Sequence, residues 1–516
     1  MYVLQFWCGS PNEFLLRVAC TVVKYRRVIV TDPLPDDVFL DIFDLCLRSP
    51  VKYPAQRMRE WLVLAHVCQR WRRIIFSSPR RLDLYLACIC GTPVRQNLIY
   101  WPLALPIVII YPGTVSRRDP TPGDENNIVA ALTHAGRVHR VDIYAKSSLF
   151  GKVATIMQKS FPVLTHLELA WDQEDFRPFP SLPQGFLGGS APRLEYLYLS
   201  GVSFPGLPIL LSASNLLTLR FNDIMQSIPP ETMVAGLAVL TRLRSLSIEF
   251  DRRISPPDQG RSRSNRPIPI ILPALTVFHY QGYSEYLEDL LALINMPLVH
   301  AITIEYFMGE IQVLQLSRFI GRTKNLKDAQ FRRAYVAFYD DQVNVELELG
   351  VPQREPQTYI RLALQTPWLD IQVPYVVDVL SQGVAIFSNA GHLFTHASCL
   401  KCRDIDNPDS IEWLPFLRLF SAVETLRLSG DMVPYIASAL EDIPEEMVTE
   451  VMPALHLLWL DEEDRTDEDK PVGSIERFLT LRQLSGCPVT VVNTKDEFYE
   501  TLNILKAHRR CWNKIL

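Results

Sequence analysis

An apolar-x-x-apolar-x-apolar unit that returns along most of the chain constrains the fold more than any other feature. It reads Val138-Val141-Ile143, Leu164-Leu167-Leu169, Leu194-Leu197-Leu199, Leu216-Leu219-Phe221, Leu243-Leu246-Ile248, Leu275-Phe278-Tyr280 and Val299-Ile302-Ile304. Weaker copies stand at Leu326-Ala329-Phe331 and within 343–349, and clear ones return at Val423-Leu426-Leu428 and Leu455-Leu458-Leu460. The last two apolar positions of each unit have strand spacing, and helical stretches such as 231–239, 285–294 and 435–440 lie between units. One strand with one helix cannot bury its own apolar side, so the units must stack into a continuous core behind a parallel sheet. Pro162, Pro192, Pro273, Pro297 and Pro453 fall just before strands, where a proline costs no ladder hydrogen bond.

The period drifts between roughly 22 and 32 residues, and the pattern resembles leucine-rich repeats of an irregular kind. The asparagine that often follows the strand in such repeats is mostly missing, with Asn222 an exception. The resemblance implies an α/β solenoid with a curved parallel sheet. Strand alternation turns the residue between the two outer apolar positions to the opposite, concave face. That row holds Asp142, Glu168, Tyr198, Arg220, Ser247, His279, Thr303, Gln330, Arg427 and Trp459. Ser, Thr and Gln suit a solvated strand face, whereas exposed aromatics with arginine suit a binding face. Glu168, Tyr198, Arg220, His279, Arg427 and Trp459 are therefore the candidate contacts to a protein target.

Residues 34–76 carry a second signal. Leu34-Pro35-Asp36-Asp37 opens a helix with proline where the missing N–H is harmless and with acid at the positive dipole end. Val38, Phe39, Ile42, Phe43 and Leu45 follow at helical spacing as one apolar face. Trp61, Leu62, Ala65, Val67 and Cys68 form the stripe of a second helix over 56–69, and Trp71, Ile74 and Ile75 a short third, stopped by Ser77-Ser78-Pro79. Leu-Pro at the start with Val-Cys-x-x-Trp-Arg near the end resembles the F-box, a three-helix docking module. The resemblance implies an adaptor that joins a Skp-type linker protein, and through it a cullin, to a target. It marks Leu34, Pro35, Val38, Ile42, Val67, Cys68 and Trp71 as the docking set. A helical cap packed onto the following domain is the alternative, because three short helices bury little surface by themselves.

The run through Ser78-Pro79-Arg80-Arg81-Leu82, Gly91-Thr92-Pro93-Val94 and Trp101-Pro102-Leu103 resembles the expanded F-box family of mushroom-forming fungi. So do Phe186 to Leu194, Tyr283 to Leu290 and Arg482 to Gly486. The organisation expected is an extension without assigned role (1–31), an F-box-like domain (32–80), a linker and capping region (81–130), the solenoid (131–495) and a helical tail (496–516).

The chain has 516 residues, and its 52 basic against 57 acidic side chains give a net charge of −5, which argues against nucleic acid or a membrane surface as partner. Ten scattered cysteines suit reduced thiols in cytoplasm or nucleus, with no disulfide framework. Arg17 interrupts the apolar stretch 14–23, and the short, proline-containing 101–111 reads as a buried strand rather than a span. His392, His396, Cys399 and Cys402 have zinc-ligand chemistry, but Cys399 lies at odd strand spacing and points away, so buried thiols are the reading and no metal is expected. The arginine-rich stretch 252–269, with Ser255-Pro256, reads as an insertion between repeats, and the acidic 461–469 as a solvated loop. No Gly-rich phosphate loop, Gly-x-Ser-x-Gly elbow or His-Glu-x-x-His motif occurs, so neither cofactor nor catalysis is expected. The reading is a ligase substrate adaptor, with a repeat scaffold bearing a degenerate F-box as the rival.

Overall fold

A computed structural model of the chain describes residues 34–47, 54–89, 91, 94–95, 98, 102–111, 121–145, 147–171, 181–183, 185–189, 191–202, 213–224, 228–253, 269–329, 331–349, 358–367, 369–382, 389–398, 411–430, 432–461 and 475–493. The extension 1–31, the tail 496–516, Gln330, Ser255, Cys399 and Cys402 lie outside them. The chain forms two compact units, one of residues 1–176 with 185–194, the other of 177–184 with 195–516.

The first unit begins with helices α1 (Asp36–Leu47), α2 (Pro54–Ala65) and α3 (Gln69–Ser77). Pro35 precedes α1, and its carbonyl accepts the Val38 and Phe39 amides at 3.1 and 3.3 Å, which starts the helix. The second helix ends at Ala65, short of the expected 69, because Cys68 is the N-cap of α3, its Sγ accepting the Trp71 amide at 3.4 Å. The apolar residues of α1 divide between two faces instead of forming the single one expected. Phe39, Leu40, Phe43 and Leu47 are buried, while Val38, Ile42 and Leu45 are exposed. The inner face joins Trp61, Ile74 and Ile75 and continues into Leu82, Leu84, Leu86 and Leu105 as one core. Phe43 meets Trp71 edge-on at 4.9 Å, and Trp61 meets Phe76 at 6.1 Å.

Strands β1 (Leu86–Cys88), β2 (Ile107–Tyr111), β3 (Val138–Ala145) and β4 (His166–Trp171) pair in parallel in that order. Parallel pairing therefore starts at Leu86, inside the stretch expected to link and cap, and 107–111 is the buried strand anticipated there. Helices α4 (Pro122–Leu132) and α5 (Ser147–Ile156) supply the crossovers. Thr121 and Asp124 close a capping box at the start of α4.

In the second unit β5 (Tyr196–Ser200), β6 (Thr218–Ile224), β7 (Ser245–Phe250), β8 (Val277–Gly282) and β9 (Ala301–Tyr306) run parallel in sequence order. Their outer apolar residues pack on the helix side. Tyr280 of β8 stacks on Tyr286 of α6 (Ser284–Leu293), 6.3 Å between centroids, and Phe250 meets the same ring edge-on. The repeat then breaks. Strands β10 (Phe331–Tyr339), β11 (Gln342–Leu349) and β12 (Tyr359–Gln365) form an antiparallel meander turning at Asp340-Asp341, with spatial order β9, β12, β11, β10. This corrects the two weaker repeat copies: Leu326 belongs to the helical turn Lys324–Lys327, and 343–349 is a reversed strand. Parallel order resumes with β13 (His392–Ser398), which pairs with β10, followed by β14 (Thr425–Gly430), β15 (Leu457–Asp461) and β16 (Thr490–Asn493). The class is mixed α/β, with repeating strand–helix units and strand pairing that is mostly parallel. Among the described residues no helix is long and apolar enough to cross a membrane.

Candidate interaction surfaces

Most of the docking set is exposed. Leu34, just before α1, and Val38 and Ile42 on it follow each other at helical spacing, 38% to 40% exposed; Leu45, outside the set, continues the row at 68%, and Val67 of the α2–α3 turn is 38% exposed. Pro35 and Cys68 are exposed as well, whereas Trp71 is half-buried between Phe39 and Phe43 and is a core residue more than a contact. Polar groups pin this surface. Arg70 donates to Asp36 at 2.8 Å and to the Leu34 carbonyl at 2.6 Å, and its guanidinium lies 4.9 Å over the Phe39 ring. Arg81 pairs with Asp41 at 2.6 Å.

The row predicted on the sheet has a different character from the exposed one expected. In the second unit Tyr198 is buried, 7% exposed, and Asn222 donates to its hydroxyl at 3.1 Å. It is a supporting residue, not an exposed anchor, with Arg220 and Asn222 of the adjacent strand β6 against it. Arg220 lies 5.5 Å over the Tyr198 ring, and Arg427 5.7 Å over Trp459 across the β14–β15 pair. Arg220, His279, Arg427 and Trp459 are half-buried, as is Thr303, while Ser247 is buried. Ser247 donates to Glu249 at 2.6 Å, and His279 Nε2 lies 3.4 Å from the same carboxylate oxygen. Burial pushes the Glu249 carboxyl up to about 7, against the Ser247 hydrogen bond and the charge of Arg220. Burial, helped by Arg220, holds His279 down to about 4. Both groups are thus favoured neutral, so this part of the face is less charged than its composition implies.

In the first unit Asp142 is buried and Glu168 half-buried, and the residues two positions before them, Arg140 and His166, share their face. Arg140 grips Asp142 through Nε and a terminal nitrogen at 2.8 Å each, and Tyr144 donates to Glu168 Oε1. Burial raises the Asp142 carboxyl despite Arg140. At Glu168 burial is outweighed by hydrogen bonds from His166 and Tyr144, and its carboxyl ends below the usual value. Taking one residue per strand overlooked Arg140 and His166. The signal lay in Arg140-x-Asp142 and His166-x-Glu168, since alternate residues share a strand face. His392 and His396 stand on one strand, four residues apart, or roughly 13 Å by strand rise, and His396 is 2.9 Å from Ser429.

Among solved structures, an internalin from Listeria monocytogenes is similar at 10% identity over 71% of this chain and 89% of that one, with a TM-score of 0.26. No protein-family model and no curated protein matches the chain. The fold class accordingly rests on the strand pairing within this chain.

Proposed function

We propose that the chain is a substrate-recognition adaptor of a cullin-type ubiquitin ligase. Its N-terminal helices act as an F-box that docks on a Skp-type linker, and its strand–helix region holds a protein target. One observation carries the reading: α1 is apolar on two sides, and among the described residues only the inner side is closed by the chain itself. Burying a Val, Leu or Ile is worth about 1.5–3 kcal/mol, so a lid over Val38, Ile42 and Leu45 would gain several kcal/mol. The adaptor performs no chemistry of its own. Holding the target's lysines beside a charged ubiquitin carrier raises their effective concentration.

Co-purification of the full chain with a recombinant Skp-type linker tests this. Val38→Glu with Ile42→Glu should abolish capture while the far-UV circular dichroism stays unchanged, because both side chains already face water. Full capture by that variant rejects the docking set. On the sheet, Trp459→Ala should reduce target retention without affecting linker capture. A second reading has its own support, since the helices share a core with β1 and so also cap the sheet. A repeat scaffold with a degenerate F-box would leave every interactor in place after the α1 substitutions.

A further inference from the structure

Among the described residues, one group of histidine and carboxylate side chains brings three metal-ligand atoms within 4.8 Å of one another. We propose that Asp142, His166 and Glu168 bind a divalent ion of the zinc class through one imidazole nitrogen and two carboxylate oxygens. The inference stands apart from the adaptor reading and does not rest on it. His166 Nε2 lies 3.5 Å from Asp142 Oδ1 and 3.6 Å from Glu168 Oε2. Both separations, the His166–Glu168 hydrogen bond included, are long against the usual N–H···O range of about 2.7–3.2 Å. They match the edge of a tetrahedron with metal–ligand bonds of about 2.0–2.1 Å, which is about 3.4 Å long.

The outer shell is built as well. Tyr144 takes Glu168 Oε1, which leaves Oε2 turned to the imidazole, and Arg140 fixes the plane of the Asp142 carboxylate. Arg140 Nε lies 3.0 Å from Oδ1, the oxygen that faces His166, and 2.8 Å from Oδ2, and donors to ligating carboxylates are the second shell that orients metal sites. Their parity is imposed by the fold: Asp142 and Glu168 are register partners on β3 and β4, and His166 sits two residues from Glu168 on the same face. Two carboxylates against one guanidinium leave a local excess of negative charge for a cation to offset. Nitrogen with oxygen donors suits zinc and its first-row neighbours better than magnesium or calcium, which prefer oxygen alone. Three protein ligands leave a fourth position for water or for a donor from a bound molecule.

Titration of the full-length, reduced chain with zinc chloride, followed by calorimetry and by X-ray absorption at the zinc edge, tests the site. Wild type should bind one ion with a first shell of nitrogen and oxygen. Glu168→Gln keeps the shape and should weaken that ion at least about tenfold, Tyr144→Phe by about tenfold, and His166→Ala most. Circular dichroism of the near-isosteric Glu168→Gln chain keeps the result independent of whether His166→Ala folds. Absence of zinc uptake, a shell of sulfur from the cysteines, or an affinity unchanged in Glu168→Gln overturns the proposal.

Discussion

Glu249 couples acidity to packing more directly than other residues of the sheet face. It is 2% exposed, its carboxyl is pushed from 4.5 up to about 7, and it faces a histidine held near 4. A carboxyl whose folded value lies above its unfolded one keeps its proton longer in the folded chain. It therefore stabilises the fold fully below about 4.5, and that contribution is lost as pH rises to about 7. His279 acts in the opposite sense, weakening the fold as pH falls from 6.5 towards 4, because its folded value is depressed. Comparing wild type with Glu249→Gln removes most of this opposing contribution, which both chains share. Over pH 4.5 to 7 wild type should lose about 3 kcal/mol relative to the variant in urea denaturation. A flat difference across that range would exclude Glu249 as the titrating group. The sequence marked His279 and Ser247 as one face, but burial of Glu249 between them depends on neighbours that alternation alone does not reveal.

At the level of elements, strands with a clean apolar-x-apolar step were legible because their alternation falls on one buried side, as at Leu219 and Phe221 of β6. The helices after β6, β8 and β14 were legible for a similar reason, with apolar residues at a period near four. The meander was not. Residues 334–338 of β10 are all buried, since Tyr335 stacks on Phe394 at 4.8 Å on one face while Phe338 meets Trp413 at 5.8 Å on the other. A strand covered on both sides shows no alternation to read. The α1 helix was half legible: its apolar positions were right, but helical spacing does not tell an inner stripe from an outer one. The meander is tied down by the helix Leu369–Ser381, whose wholly buried Gln372 donates to the carbonyls of Tyr339 at 2.7 Å and Thr366 at 2.9 Å. Gln372→Ala removes that donor from two carbonyls and should cost about 1–3 kcal/mol in chemical denaturation. A loss within measurement error would mean that the two carbonyls find other donors.

For the whole molecule, the N-terminal helices are a structural part of their unit as well as a candidate docking face. Deleting residues 34–77 would uncover Leu82, Leu84, Leu86 and Leu105 and remove Met58, whose Sδ accepts the Ala87 amide at 3.2 Å. The truncated chain should elute as aggregate in size-exclusion chromatography, and a monomeric peak would show that the sheet closes without them. Loss of binding on truncation is therefore a poor test of docking, and outward-facing point substitutions are the informative ones.

The reversal at Asp340-Asp341 also bears on how the chain finds its structure. Phe338 and Val343 meet across a turn, whereas the flanking parallel pair joins residues as distant as Thr303 and Arg361. Closing short loops is fast and long ones slow. A nascent hairpin would thus give both arms of the second unit an early template, from which assembly can spread in two directions at once.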